Sequence, residues 1–193
     1  TVINGGIINS LKSTAQLGKG EWSVIESDES DGSFLNLPIT YSIVTNIDKE
    51  HLDYYGSFEK LKKSFCEFVE KTPSFGKSFI CIDDGNLKSL IPKFKTNNFL
   101  TYGFHKYSNY QAINIKKKLD HSIFDLKIKS PTSKKYTIRN IKVNLIGDHN
   151  IRNTTASIAV ALNLGVKIDK IKKALSKFLG IQRRFTKVFS IGK

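Results

Sequence analysis

Apolar segments of two different rhythms alternate along this chain, and that alternation limits its fold more than any other feature. Tyr41-Ser-Ile-Val-Thr-Asn-Ile47, Ser78-Phe-Ile-Cys-Ile-Asp-Asp84 and Asn98-Phe-Leu-Thr-Tyr-Gly-Phe104 are apolar runs of strand length. Between the first two, Phe58, Leu61, Phe65, Phe68 and Val69 recur at helical spacing. That helix opens on Ser57, a good N-cap, and has to stop before Pro73. A shorter helix is predicted over 86–94. Strands alternating with helices specify an α/β domain of three layers, a mostly parallel sheet with helices on its faces.

The rhythm changes over 110–146. Ala112-Ile-Asn-Ile115, Ser122-Ile-Phe-Asp-Leu-Lys-Ile128 and Tyr136-Thr-Ile-Arg-Asn-Ile-Lys-Val-Asn-Leu-Ile146 alternate apolar and polar residues. That pattern reads as a small antiparallel β subdomain packed on one face. Helices return over 149–164 and 168–178, and Leu179-Gly180 is the best boundary before a following domain. At the other end, the first twenty residues, with Gly5, Gly6, Gly18 and Gly20, read as loop, short helix and loop. A strand is predicted over 21–27.

A chain of 193 residues holds one full core. No apolar run approaches the roughly 20 residues that span a bilayer, and no signal peptide is visible, so a cytoplasmic location is expected. Cys66 and Cys81 have no metal-type spacing and read as free thiols in a reducing compartment. The formal net charge of +14 invites a nucleic-acid reading, but only four of the 31 basic residues are Arg, the usual base reader and phosphate fork. The lysines are scattered without interleaved aromatics, so neither nucleic acid nor membrane is expected as a partner. There is no Met, and the chain opens mid-element and stops just after an apolar run. It reads as a piece of a longer protein.

Four segments could carry chemistry. Glu26-Ser-Asp-Glu-Ser-Asp31 puts four carboxylates into six residues directly after an apolar run, and Glu26 is best placed to face a crevice. Such carboxylates suit Mg2+, which keeps most of its waters and binds substrate phosphates; a solvated acidic turn is the plain alternative. His51 follows the 41–47 strand among further carboxylates, so Glu26 and His51 are the candidate metal ligands. Asn150 and Asn153, three apart at the start of a helix, could read a base edge or simply cap the helix. Gln182-Arg-Arg-Phe185 offers Arg184 as a phosphate clamp, or as an ordinary surface charge.

Taken together, these segments are similar to the Mur ligases. Glu26-Ser-Asp-Glu-Ser-Asp-Gly-Ser-Phe-Leu35, Ile43-Val-Thr-Asn-Ile47 with Glu50-His-Leu-Asp-Tyr-Tyr-Gly56, Gly147-Asp-His-Asn-Ile-Arg-Asn153 and Gly180-Ile-Gln-Arg-Arg-Phe185 stand in that family's order and spacing across nearly the whole chain. The acidic motif resembles that of the alanine-adding branch. The resemblance implies an ATP-dependent amide ligase of peptidoglycan synthesis, whose substrates would be UDP-N-acetylmuramate and L-alanine and whose intermediate would be an acyl phosphate. It further implies that Glu26 and His51 each hold a Mg2+, that Asn150 and Asn153 lie beside the nucleotide, and that Arg184 reaches its phosphates. Asn4-Gly5-Gly6 could approach the nucleotide sugar, or form a plain turn.

Two family features are expected outside the chain. The Gly-x-x-Gly-Lys-Thr phosphate loop would lie upstream of Thr1, and an amino-acid-binding domain would follow Arg184. On this reading 1–180 is the central ATP-binding domain without its phosphate loop, 181–193 opens the next domain, and the piece alone does not turn over. Where sister ligases carry a carbamate-bearing Lys, this chain has Phe65, with Lys62 and Lys63 nearby. Rival readings are a ligase that recycles murein tripeptide and a basic nucleic-acid-binding module.

Overall fold

A computed structural model describes residues 1–129 and 135–181. The strands β4 (Tyr41–Val44), β5 (Lys77–Cys81), β6 (Phe99–Gly103), β7 (Tyr110–Lys117), β8 (Ser122–Ile128) and β9 (Tyr136–Val143) form one six-stranded sheet in sequence order. Its first three pairings are parallel and its last two antiparallel. The expected three-layer, mostly parallel α/β architecture is therefore present. The antiparallel strands continue the sheet through the β6–β7 pairing.

Four of the five residues in β5 and in β6 are buried, so both faces of the sheet centre are covered. On one connection lie α1 (Leu52–Tyr55) and α2 (Phe58–Glu70), on the next α3 (Gly85–Leu90). The helix α4 (Asp148–Asn163) crosses β5, β6 and β7, and α5 (Ile168–Lys177) packs on β9. Ala156 and Ala159 are buried on α4, where small side chains let the helix approach the sheet closely. The core joins Val44, Phe79, Tyr102, Phe124, Leu126 and Ile151, all nearly inaccessible. The phenol of Tyr102 donates to the Val44 carbonyl at 3.2 Å, and burial holds its pKa far above the usual value.

The spacing reading of α2 holds in detail. Ser57 is the N-cap and its hydroxyl accepts from the Lys60 amide at 3.3 Å. Replacing it by Ala should cost about 1 kcal/mol of local stability, seen as faster hydrogen exchange in the first turn of α2. Beyond α2, the hydroxyls of Ser42, Thr72 and Ser78 form a buried triad, with Ser42–Ser78 at 2.9 Å and Thr72–Ser78 at 2.8 Å. The triad fixes the loop before β5 against the edge of the sheet.

The first twenty residues depart from the expected loop and helix. They form a hairpin of β1 (Val2–Ile8) and β2 (Ser13–Gln16), with the two-residue β3 (Val24–Ile25) parallel to β1. Gly5 and Gly6 lie inside β1, not in a turn. An added Cβ on Gly6 would meet Ile181 at 2.6 Å, so only glycine admits that contact. The long strand predicted over 21–27 shrinks to β3 because its pairing with β1 covers only Val2 and Ile3. It belongs to this three-stranded sheet, not to the main one.

Candidate functional site

β4 is the terminal strand of the large sheet, and a cleft of about 1380 Å³ runs along it. One wall carries Trp22 to Glu26; the other carries β4, with Phe65 and Phe68 of α2 and Arg152, Asn153 and Val160 of α4. Trp22 reaches across to Tyr41, ring centroids 5.7 Å apart. Glu29, Asn46, Asp83, Asp84 and His149 add polar groups. The cleft thus meets the carboxyl ends of β4 and β5, where parallel sheets of this type hold ligands.

Each polar group has a local reason for its place. Glu26 follows β3; its amide donates to the Ile3 carbonyl at 2.9 Å, and its Oε2 accepts the Gly5 amide at 2.8 Å. Asp83, just past β5, accepts the amides of Phe104 and His105 at 2.8–3.0 Å. Asp84 caps α3 through the Leu87 amide at 2.7 Å. The Arg152 guanidinium lies 5.5 Å from the Phe104 ring centroid. Its planar cation therefore stands at the cleft wall, where an anionic ligand would meet it.

The other acids of the block shape the loop itself. Asp28 accepts the Ser30 amide at 2.7 Å and Asp31 the Ser33 amide at 2.9 Å, two Asx turns. Hydrogen bonds from Ser30 are the main cause that holds the Asp28 carboxyl below its usual range, and the nearby His51 adds a smaller pull. Ser33 does the same for Asp31. The Tyr55 phenol donates to the Glu29 carbonyl at 2.5 Å, and burial, with nearby Tyr54 and carboxylates, pushes its pKa up. It remains a donor throughout the physiological range.

Of the residues singled out from sequence, Glu26 and Asn153 line the cleft. His51 does not; it caps α1 in the left-handed conformation, φ 55°, with Nε2 4.0 Å from Glu50 Oε2. The helix it caps meets the acidic block through the Tyr55–Glu29 hydrogen bond. Asn150 and Asn153 are not both presented to the cleft, because the Asn150 amide turns back to the Ile146 carbonyl at 2.7 Å. This is not an N-cap, since Gly147 holds that position without a side-chain cap; it ties the first turn of α4 back to the segment before it. Arg184 and its neighbours Gln182, Arg183 and Phe185 lie outside the described residues.

Asp83, Asp84, His149 and Arg152 were not singled out, although Asp83-Asp84 end a predicted strand just as Glu26 does. Asp148, next to His149 in sequence, pairs with Lys117 at 2.7 Å. Among the described residues no three His, Cys, Asp or Glu side chains cluster as a complete metal cage. One carboxylate at a cleft lip fits Mg2+ all the same, because that ion takes one or two protein carboxylates and completes its shell with water and phosphate oxygens. Cys66 and Cys81 are free, as expected.

Comparison with known proteins agrees with this architecture. Residues 8–161 match the Mur ligase middle domain. The chain is 54% identical over 190 residues to the UDP-N-acetylmuramate--L-alanine ligase of Pelagibacter ubique, covering 98% of this chain and 41% of that protein. It is 45% identical over 193 residues to the ligase of the same name from Parvibaculum lavamentivorans, covering 98% of this chain and 39% of that protein. The crystal structure of UDP-N-acetylmuramate-alanine ligase from Thermotoga maritima superposes with a TM-score of 0.80 at 26% identity, covering 97% of this chain and 40% of that one. The chain therefore spans about two fifths of the length of these relatives, and it belongs to the Mur ligase family, whose middle domain it contains.

Proposed function

We propose that this chain is the central domain of a longer ATP-dependent ligase that joins L-alanine to the lactyl carboxylate of UDP-N-acetylmuramate in cytoplasmic peptidoglycan synthesis. The observation that carries this reading is the 54% identity to an L-alanine ligase across 98% of the chain. The cleft agrees with it, having acidic and cationic groups among its lining residues. In the reaction a carboxylate oxygen takes the γ-phosphoryl group of ATP, releasing ADP. The alanine amine then attacks the acyl carbon, loses a proton, and phosphate leaves.

Bound Mg2+ would neutralise polyphosphate charge, which phosphoryl transfer needs more than covalent help. Glu26 is the residue proposed to hold it at the cleft lip, and His51 is proposed to hold a second ion beside the reacting carboxylate. Asn153 would face the nucleotide, and Asn150 would support it by fixing the start of α4. Arg152 stands ready to meet phosphate from the cleft wall. Arg184 is proposed to reach the phosphates from the segment that leads, after Gly180, into the next domain. The phosphate loop and the amino-acid domain are assigned to the remainder of the longer protein.

The test is phosphate release by the full-length protein with ATP, Mg2+, UDP-N-acetylmuramate and one amino component. Release that requires L-alanine is expected. Release driven by murein tripeptide instead would reassign the acceptor, and none under any pairing would refute the ligase reading.

A further inference from the structure

The acidic loop and His51 sit on different elements, yet two cations held side by side by Glu26 and His51 need those elements in fixed register. One turn of helix supplies that register. The amides of Tyr54 and Tyr55 both donate to the His51 carbonyl at 3.1 Å, and the Gly56 amide closes the turn on Leu52 at 2.8 Å. His51 thus caps the start of a single short helix that ends at Tyr55, and its two caps, His51 and Gly56, are both left-handed.

From its far end that turn meets the acidic loop twice. Tyr55, only 8% exposed, donates to the Glu29 carbonyl, which also accepts the Gly32 amide at 3.2 Å. Tyr54 packs edge-on to Tyr55 with centroids 4.9 Å apart. Its hydroxyl lies 2.8 Å from where a Cβ on Gly32 would be, and Gly32 has φ 71°. Tyr55 thus holds one end of the Glu29–Gly32 turn, and the Tyr54 ring lies beside the other.

We infer that Tyr55 is a positioning residue: through the Glu29 carbonyl it holds the acidic loop in register with His51, and so sets how readily the site takes a divalent cation. The inference rests on the ligase reading above. Without the phenol, the loop occupies its competent position only part of the time. Apparent affinity for the cation falls by that fraction.

Tyr55→Phe in the full-length protein tests this, because it keeps the packed ring and deletes one hydrogen bond. Amide exchange over residues 28–33 should quicken by about fivefold, the factor one such bond supplies. The Mg2+ concentration for half-maximal phosphate release should rise, by up to about the same factor, and saturating Mg2+ should recover the loss. Gly32→Ala, which drives a methyl against the Tyr54 hydroxyl, should shift both readouts in the same direction and serves if Tyr55→Phe does not fold. Unchanged exchange overturns the inference, as does faster exchange with an unaltered Mg2+ requirement. Absence of Mg2+-dependent release in the unsubstituted protein would instead defeat the ligase reading beneath it.

Discussion

Glu26→Gln in the full-length protein should lower L-alanine-dependent phosphate release by about a hundredfold or more while the domain stays folded. The two halves of that expectation come from different atoms. The side-chain oxygen accepts the Gly5 amide at 2.8 Å, and an amide oxygen can accept the same bond. The β1–β3 junction should therefore survive, with a thermal midpoint close to that of the parent. What Gln lacks is the negative charge that a phosphate-bridging Mg2+ requires. Steady-state rates at saturating ATP, set beside thermal unfolding, separate the effects. Wild-type turnover would remove Glu26 from the mechanism, and joint loss of rate and stability would make its role structural.

Gly76→Ala should be the most damaging small substitution in the fold. A Cβ there would stand 1.7 Å from the Thr40 carbonyl oxygen, well inside contact distance. That oxygen accepts the Lys77 amide at 3.2 Å, the first rung between β4 and β5. Gly76 itself donates to the Pro73 carbonyl at 2.9 Å, so the loop cannot swing away cheaply. Backbone has to move, and the rung and the Ser42–Thr72–Ser78 triad beside it move too. A loss of about 3 kcal/mol is expected, lowering the midpoint of this domain by about 6–12 °C. Calorimetry of the full-length protein would show the transition shifted; an unshifted transition would mean that the loop relaxes freely.

Sequence reading succeeded where local rules and tertiary packing agree. Ser57 caps α2 because a short hydroxyl can bond the Lys60 amide, and the apolar face that follows meets the core. β5 and β6 were legible as unbroken apolar runs because both of their faces are buried. It failed where distant partners decide the conformation. Val2-Ile-Asn-Gly-Gly-Ile-Ile8 looked like a loop because glycine disfavours strands, yet Gly6 makes room for Ile181, and the Asn9 amide bonds the Gly180 carbonyl at 3.1 Å. Nothing near Gly6 in sequence announces that contact. Gly76 was equally silent.

The site divides in the same way. Glu26 at the cleft follows from its position after an apolar run. Arg152 does not, since its place depends on how α4 crosses β5, β6 and β7 and on Phe104 beneath it. His51 looked like a second strand tip beside Glu26, but Ile47 is already buried at the end of that run, and the chain then turns away. The left-handed His51 starts α1 instead, and that helix meets the acidic block through Tyr55 and Glu29. Asn150 and Asn153 share a spacing that fits capping as well as recognition, and the Ile146 carbonyl takes the first of them.

Magnesium held at Glu26 beside the nucleotide is the central claim, and Mn2+ can replace that ion because oxygen ligands suit both. Free Mn2+ measured by electron paramagnetic resonance, with full-length protein and ATP present, tests it most directly. The unsubstituted protein should bind the Mn2+–nucleotide pair about tenfold or more tightly than Glu26→Gln. Equal retention of Mn2+ by both proteins would contradict the assignment.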